Sequence, residues 1–452
     1  MTVDVFRTVG TARQGLLMYG GRFQDHSENF AGLGAIAAKK RETFLTSFHS
    51  RSPYREGPIV ENMTFHHVAI QGGPVASEIA THLTVGGHGL IPIRDSDNRL
   101  AYTRVGTFNL NENRIMMNHL GHKLLVVKGK NGVFPTRVPS EGSFSVLDLK
   151  NVSSPPQATS SMILKQQLPG STPQPVNQTV PFYDSLGGQH SLIFNWTYVP
   201  SIGDPGPTGA THGWRLRVIA PPGATVKVDP SSPYSSDQGV LLEFDGKGTL
   251  LGVNGTKSNT QIDPNDPNFI STQPNPAPRL SVTSWGNAAG PSNVELNFGT
   301  LGRRDGVVSH GNQFNLIDIV SNGHPFGAFS KIDFDDEGFG TITYTNGVKD
   351  RYCRIPLVLF NNPNGLRLLD TGIYVPHIRE DDEVGIVGSG EAEYLFPKEE
   401  NAGKIIPASY EGSNINATEV YVNMVEDERR YANNLSVLKT AGEMADQLNA
   451  LI

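Results

Sequence analysis

Residues 416–452 read NATEVYVNMVEDERRYANNLSVLKTAGEMADQLNALI, and this stretch decides the fold. It contains no Pro, and its single Gly is Gly442. Apolar residues stand at Val420, Met424, Tyr431, Leu435, Leu438, Ala441, Ala445, Leu448 and Ile452. Steps of three, four and seven put them on one stripe of a helix. Thr418 and Glu419, after Ser413-Asn414, give an N-terminal signal. The stripe is narrow and close to a 3.5-residue repeat, as in a coiled-coil seam. A seam requires a partner.

The other comparable stripe lies at the opposite end: Val5, Val9, Ala12, Leu16, Tyr19, Phe23 and Phe30. Gly10, Gly15, Gly20 and Gly21 interrupt it, and each costs about 1 kcal/mol of helix propensity. Both termini are therefore expected to be helices that pair, the first of them broken by glycine. Two alternatives stay open: helices that cap one domain, or ends that meet copies of themselves in an assembly. The expected seam is Val9, Leu16, Phe23, Met424, Tyr431, Leu435, Leu438 and Leu448.

Between the ends the chain is strand-like. With 49 Gly, 31 Pro and only 18% charged residues, its composition suits a turn-rich, mainly β protein. Val68-Ala69-Ile70, Leu83-Thr84-Val85, Leu90-Ile91-Pro92-Ile93 and Leu124-Leu125-Val126-Val127 are short strand-like runs, with turns at Gly86-Gly87 and Asp95–Asn98. Residues 150–180 are rich in Ser, Pro and Gln and read as a linker or domain boundary. Strands resume at Ser191–Trp196, Trp214–Ile219 and Val240–Phe244, before a loop-rich stretch marked by Pro264, Pro267, Pro274, Pro276 and Pro278. Thr341–Thr345 followed by Asn346-Gly347 predicts a hairpin. The expected organisation is nested: 1–50 an N-terminal helical segment; 51–150 and 304–411 the two halves of an inner β-domain; 151–303 an inserted outer β-domain; 412–452 a C-terminal helix.

The chemistry of the chain is bland. A net charge of −7 without a basic cluster argues against a nucleic-acid surface. No apolar run approaches a membrane span. Leu16–Tyr19 is too short for the apolar core of a secretory signal, so the chain is expected to be cytosolic or exported by a route that reads no cleaved signal. Asn-X-Ser/Thr triplets at Asn62, Asn177, Asn195 and Asn254 read as chance. The single cysteine, Cys353, excludes an internal disulfide and reads as a buried small hydrophobe rather than a nucleophile. Asp333, Asp335, Asp336 and Glu337 before Gly338 lack the calcium-loop ligand pattern and read as a turn, as does Asp245–Gly248. Gly86–Gly89 is no phosphate cradle, and His66-His67 lack further ligands at metal-binding spacing. No catalytic constellation emerges, so neither enzymatic activity nor a cofactor or metal is expected.

Read as phrases, the turns and strands resemble the bacterial flagellar rod and hook axial proteins, and among them the hook protein family, over nearly the whole chain. The N-terminal carriers are Gly15-Leu16, Phe23, Glu28–Gly32 and Lys39; there Glu28, Gly32 and Ala37-Ala38 depart from the family pattern. Gly87-His88-Gly89, Tyr102–Phe108 and Asn118–Gly121 fit the inner β-domain. Tyr183–Leu192 is similar to a hook signature, Asp-Ser-Leu-Gly-X-X-His, and Trp214, Leu242–Asp245, Gly248 and Leu250 follow in order. Phe360–Leu366, Tyr410–Ile415 and, in the last helix, Arg429, Tyr431, Asn434, Thr440, Ala441, Glu443 and Met444 complete the resemblance, while Glu428 and Arg430 depart from it.

The resemblance implies a self-assembling structural subunit of a flexible helical tube that transmits motor torque from rod to filament. The terminal helices would line it and the β-domains would form its outer layers. It further implies, as partners, other copies of the chain, the rod, the hook cap, the hook–filament junction proteins and the type III export apparatus, and a location in the flagellum outside the cell. Within the axial family the alternative is a distal rod or hook-associated protein. Outside it, the alternative is an extracellular β-rich binding module on a helical oligomerisation stalk, which would require exposed aromatic side chains in a cleft; Trp196, Trp214 and Trp285 are the available tryptophans.

Overall fold

The computed structural model describes residues 2–49, 58–129, 132–138, 141–171, 174–202, 209–228, 239–253, 256–257, 278–370, 372–377 and 388–449. Pro264, Pro267, Pro274, Pro276, Asn254 and Ile452 lie outside them, as do the side chains of Val5 and Leu448. The chain is mainly β, with one long helix at each end: α1, Thr2–Ala31, and α2, Ala417–Asn449. The expectation of an interrupted first helix is corrected, because α1 runs unbroken through all four glycines. Its packing against α2 supplies what propensity lacks. The helical N-terminal segment is also shorter than 1–50, since Arg41–His49 is a strand paired with Pro58–His66.

The chain divides into two compact units. The first comprises Met1–Val152, Ser330–Thr343 and Lys349–Ile452; the second comprises Ser153–Phe329 and Tyr344–Val348. In the first, early and late segments complete each other's sheets. Leu100–Thr103 pairs with Ile91–Arg94 on one side and with Ile373–Val375 on the other. Lys123–Lys128 pairs with Lys349–Arg354. Leu83–Gly86 pairs with Lys404–Pro407, and Pro74–Ala76 with Ser409–Glu411. Cys353 is buried in this unit, and burial pushes its thiol up to about 12, which suits a packing residue.

The second unit holds two six-stranded sheets around one apolar core. The run 150–180 contains a unit boundary, at Val152/Ser153, but is not an open linker: Ser161–Leu168 and Val176–Tyr183 are strands, one in each sheet. Strict alternation buries Met162, Leu164 and Leu168 on one face of the first. Val307–Ser309 and Asn315–Ser321, beyond the expected boundary at 303/304, both pair with this strand. Trp196, Trp214 and Trp285 are all buried, so no exposed tryptophan is available for a carbohydrate cleft.

Candidate assembly interface

The candidate site is the helix pair and its attachment to the first unit. Asn416 caps α2: its Oδ1 accepts the amides of Thr418 at 3.0 Å and Glu419 at 3.3 Å. The cap therefore lies two residues before the expected Thr418 signal, and the helix starts one residue before it. The lower end of α1 is tied to the neighbouring hairpin. Asn29 exchanges two hydrogen bonds with the backbone of Arg41, at 2.6 and 2.7 Å, as a strand neighbour would. Asp25 lies 2.8 Å from Arg41 Nε and accepts from Thr43, and Glu28 pairs with Arg41. Glu28, one of the departures from the family phrase, thus has a local counter-charge.

Below both helices lies a buried neck where distant phrases meet. Lys39 Nζ donates to Glu411 Oε1 at 2.5 Å and to the Ile70 carbonyl at 2.7 Å. Arg104 Nη1 lies 3.2 Å from Glu411 Oε2, and Arg104 also donates to the carbonyls of Val85 and Gly87. The Gly72 amide donates to Glu411 as well, at 2.9 Å. Burial pulls the Lys39 ammonium below its ordinary value, and Glu411 opposes that pull. Asn414 completes the neck: its Oδ1 accepts from the Lys40 amide, and its Nδ2 donates to the carbonyls of His67 and Ile70. Gly72 is obligatory here, since an added Cβ would come within 2.0 Å of the Gly412 carbonyl oxygen.

Above the neck the helices pair antiparallel, but their shared face is small and polar. Among the described residues, those buried on the helices are Ala12 and His26 on α1 and Val420, Asp427 and Ala441 on α2, besides Asp25 and Asn29, which are held by the hairpin. The expected seam is distributed differently. Val9, Leu16, Met424 and Leu438 are half-buried, whereas Phe23, Tyr431 and Leu435 remain 43%, 42% and 37% exposed. The side chain of Leu448 lies outside the described residues. Leu17, Phe30, Tyr421, Val422, Val437 and Met444 are also exposed. Monomeric proteins rarely leave so many large apolar side chains open along one element. The sequence stripe did not disclose Asp427, which pairs with Arg22 and His26; it reads as one acid in a charged run.

The remaining candidates for chemistry are structural. Asp335 Oδ1 accepts the amides of Glu337 and Phe339, closing a turn, and Asp336 pairs with Lys398. His67 hydrogen-bonds Glu42 at 2.9 Å. Among the described residues, no group of three or more His, Cys, Asp or Glu side chains could hold a metal, and no helix is long and apolar enough to cross a membrane.

Comparison with known proteins places these features. Residues 168–324 match the flagellar basal body protein FlaE D2 domain, and residues 407–451 match the flagellar basal body rod FlgEFG protein C-terminal family. The flagellar hook protein FlgE of Brucella suis is 21% identical over 449 residues, 99% of each chain. That of Rhizobium meliloti is 23% identical over 456 residues, again 99% of each. The chain is similar to flagellar hook proteins over nearly its whole length. The hook protein of Caulobacter vibrioides is 25% identical over 275 residues, which are 60% of this chain and 43% of the Caulobacter protein. The crystal structure of Helicobacter pylori flagellar hook protein FlgE2 aligns with a TM-score of 0.42 and 12% identity, over 73% of this chain and 98% of that one. The D2 match covers much of the second unit, and the C-terminal match begins just before the neck and takes in α2.

Proposed function

We propose that the chain is the repeating subunit of a flagellar hook, a flexible helical tube that transmits motor torque from rod to filament. One observation carries the reading: a chain similar end to end to hook proteins leaves large apolar side chains uncovered along both terminal helices. In a tube, Val9, Leu16, Phe23, Met424, Tyr431, Leu435, Leu438 and Leu448 serve the seams between and within copies, and the helices line the channel. The β strands of the first unit form the inner layer, and the second unit, residues 153–329 and 344–348 rather than 151–303, forms the outer. Export proceeds through the type III apparatus, and the tube meets rod, hook cap and hook–filament junction proteins. The role is structural, with no cofactor. Burying a fully exposed large apolar side chain stabilises by about 1.5–3 kcal/mol, so neighbours gain from covering the helices.

Electron microscopy of flagellar stubs from a deletion strain tests this. Rods that end without hooks, restored by the intact gene, are the expected result. Hooks of normal shape in the deletion strain overturn it. In vitro, a chain ending at Asn416 is expected to keep its β circular dichroism and stay monomeric, and tubes built by that truncation count equally against the reading.

A further inference from the structure

The polar contacts between α1 and α2 form a ladder. Asp427, 1% exposed, receives Arg22 Nε and His26 Nε2 on Oδ2, each at 3.0 Å. Nearly a turn along α2, the Arg430 guanidinium lies 5.8 Å from the centre of the Tyr19 ring. Another turn along, Asn434 rests on Gly15, where an added Cβ would come within 2.6 Å of Asn434 Oδ1. Positions 427, 430 and 434 rise as 22, 19 and 15 fall, by the same steps of three and four.

Apolar stripes cannot enforce such a register. Their repeats resemble themselves a turn away, and the large side chains on these helices mostly face outward. A buried carboxylate can, because slipping by one turn removes both cross-helix donors from it and leaves it only the more distant Arg430 of its own helix. A single buried polar residue setting the register of paired helices is the best-attested use of such groups. Arg430, 3.6 Å from Asp427 Oδ1, lies on the same helix and moves with it.

We propose that Asp427 is the register key of the hairpin: it commits α2 to the α1 of its own chain at one alignment. That alignment leaves the outward faces, with Leu17, Phe23, Tyr421 and Met444, for a second copy. This last consequence rests on the hook reading; the pairing itself does not.

The test uses the full-length chain with one engineered cysteine pair at a time: G15C/N434C in register, or G15C/L438C one turn out. Cys353 is buried and unreactive. In the parent, the in-register disulfide is expected to exceed the slipped one by about tenfold or more, because the slipped state takes Arg22 and His26 away from Asp427. With D427L, helical circular dichroism is expected to hold while the ratio falls to within about threefold, the polar penalty for slippage being gone. D427N keeps an acceptor for Arg22 and His26 and is expected to preserve most of the preference. An unchanged ratio in D427L overturns the proposal. So does a loss of helicity in D427L, since Asp427 would then supply stability rather than alignment. Tubes are counted separately by electron microscopy: a chain that forms no tubes yet keeps the parent ratio fails the hook reading and leaves this one standing.

Discussion

Among the described residues, six turns are built by one five-residue device. At Asp95, Asn111, Asn118, Asp184, Asp245 and Asp335, the side-chain Oδ1 accepts the amide four residues on, at 2.7–2.9 Å. In each, the fourth residue has a positive φ: Asn98, Arg114, Gly121, Gly187, Gly248 and Gly338. An Asx side chain closes the loop from inside, and the left-handed position turns the chain back. Asp184 does more. Burial alone would raise its pKa, but Asn287 Nδ2, His190 Nε2 and the amides of Gly188 and Leu186 hold it down at about 2. His190 in turn stacks on Trp285, 4.4 Å between ring centres. The hook signature Asp-Ser-Leu-Gly-X-X-His is thus a hairpin loop pinned to the loop of another sheet. A carboxylate depressed on folding contributes stability that is full above its unfolded value, about 4, and is lost as pH falls towards 2. Acid titration of unfolding, followed by tryptophan fluorescence, is expected to show that loss in the parent and a flatter profile over the same window in Asp184→Asn. Parallel profiles would show that Asp184 is not the group responsible. The turns at Asp95, Asp245 and Asp335 were legible in the sequence because their determinants lie within five residues; those at Asn118 and Asp184 stood there only as resemblance phrases, and the turn at Asn111 was not read.

Elements show where such legibility ends. Both helices announce themselves by apolar spacing, and the 339–354 hairpin by Thr341–Thr345 running into Asn346-Gly347. The fate of the glycines in α1 does not follow from spacing. Propensity charges every one of them alike, but Gly15 is filled by Asn434 whereas Gly10 has nothing within 4 Å of an added Cβ. Gly10→Ala is therefore expected to raise helix stability by about 1 kcal/mol. Gly15→Ala should forfeit that gain, because it displaces Asn434 from its hydrogen bond to the Arg430 carbonyl. Thermal loss of the helical dichroism signal, compared between the two variants, checks this; equal gains would mean the helices do not meet at Gly15. The strand Ser161–Leu168 was hidden for another reason. Its partners Ser292–Asn297, Val307–Ser309 and Asn315–Ser321 lie more than a hundred residues away, and no local pattern points to them.

At the scale of the whole molecule, Lys39, Arg104 and Glu411 belong to three separate phrases of the sequence and meet at one neck. Nothing in their spacing foretells the meeting, because it depends on the late strand Ser409–Glu411 returning to Pro74–Ala76. Removing one member of a buried ionic cluster leaves the others without compensation, which costs about 3–5 kcal/mol. Glu411→Ala is accordingly expected to lower the stability of the first unit by about that amount in denaturant unfolding, and a loss below about 1 kcal/mol would mean solvent reaches the two cations. The neck has a further consequence. Because the two ends of the polypeptide are clasped at the same place, a pull on either terminus is handed directly to the other and never travels through the several hundred residues that separate them along the chain. The midsection is mechanically a branch, free to be enlarged, trimmed or exchanged while the load-bearing line stays intact, which accommodates a Caulobacter relative that is aligned over only 43% of its own length.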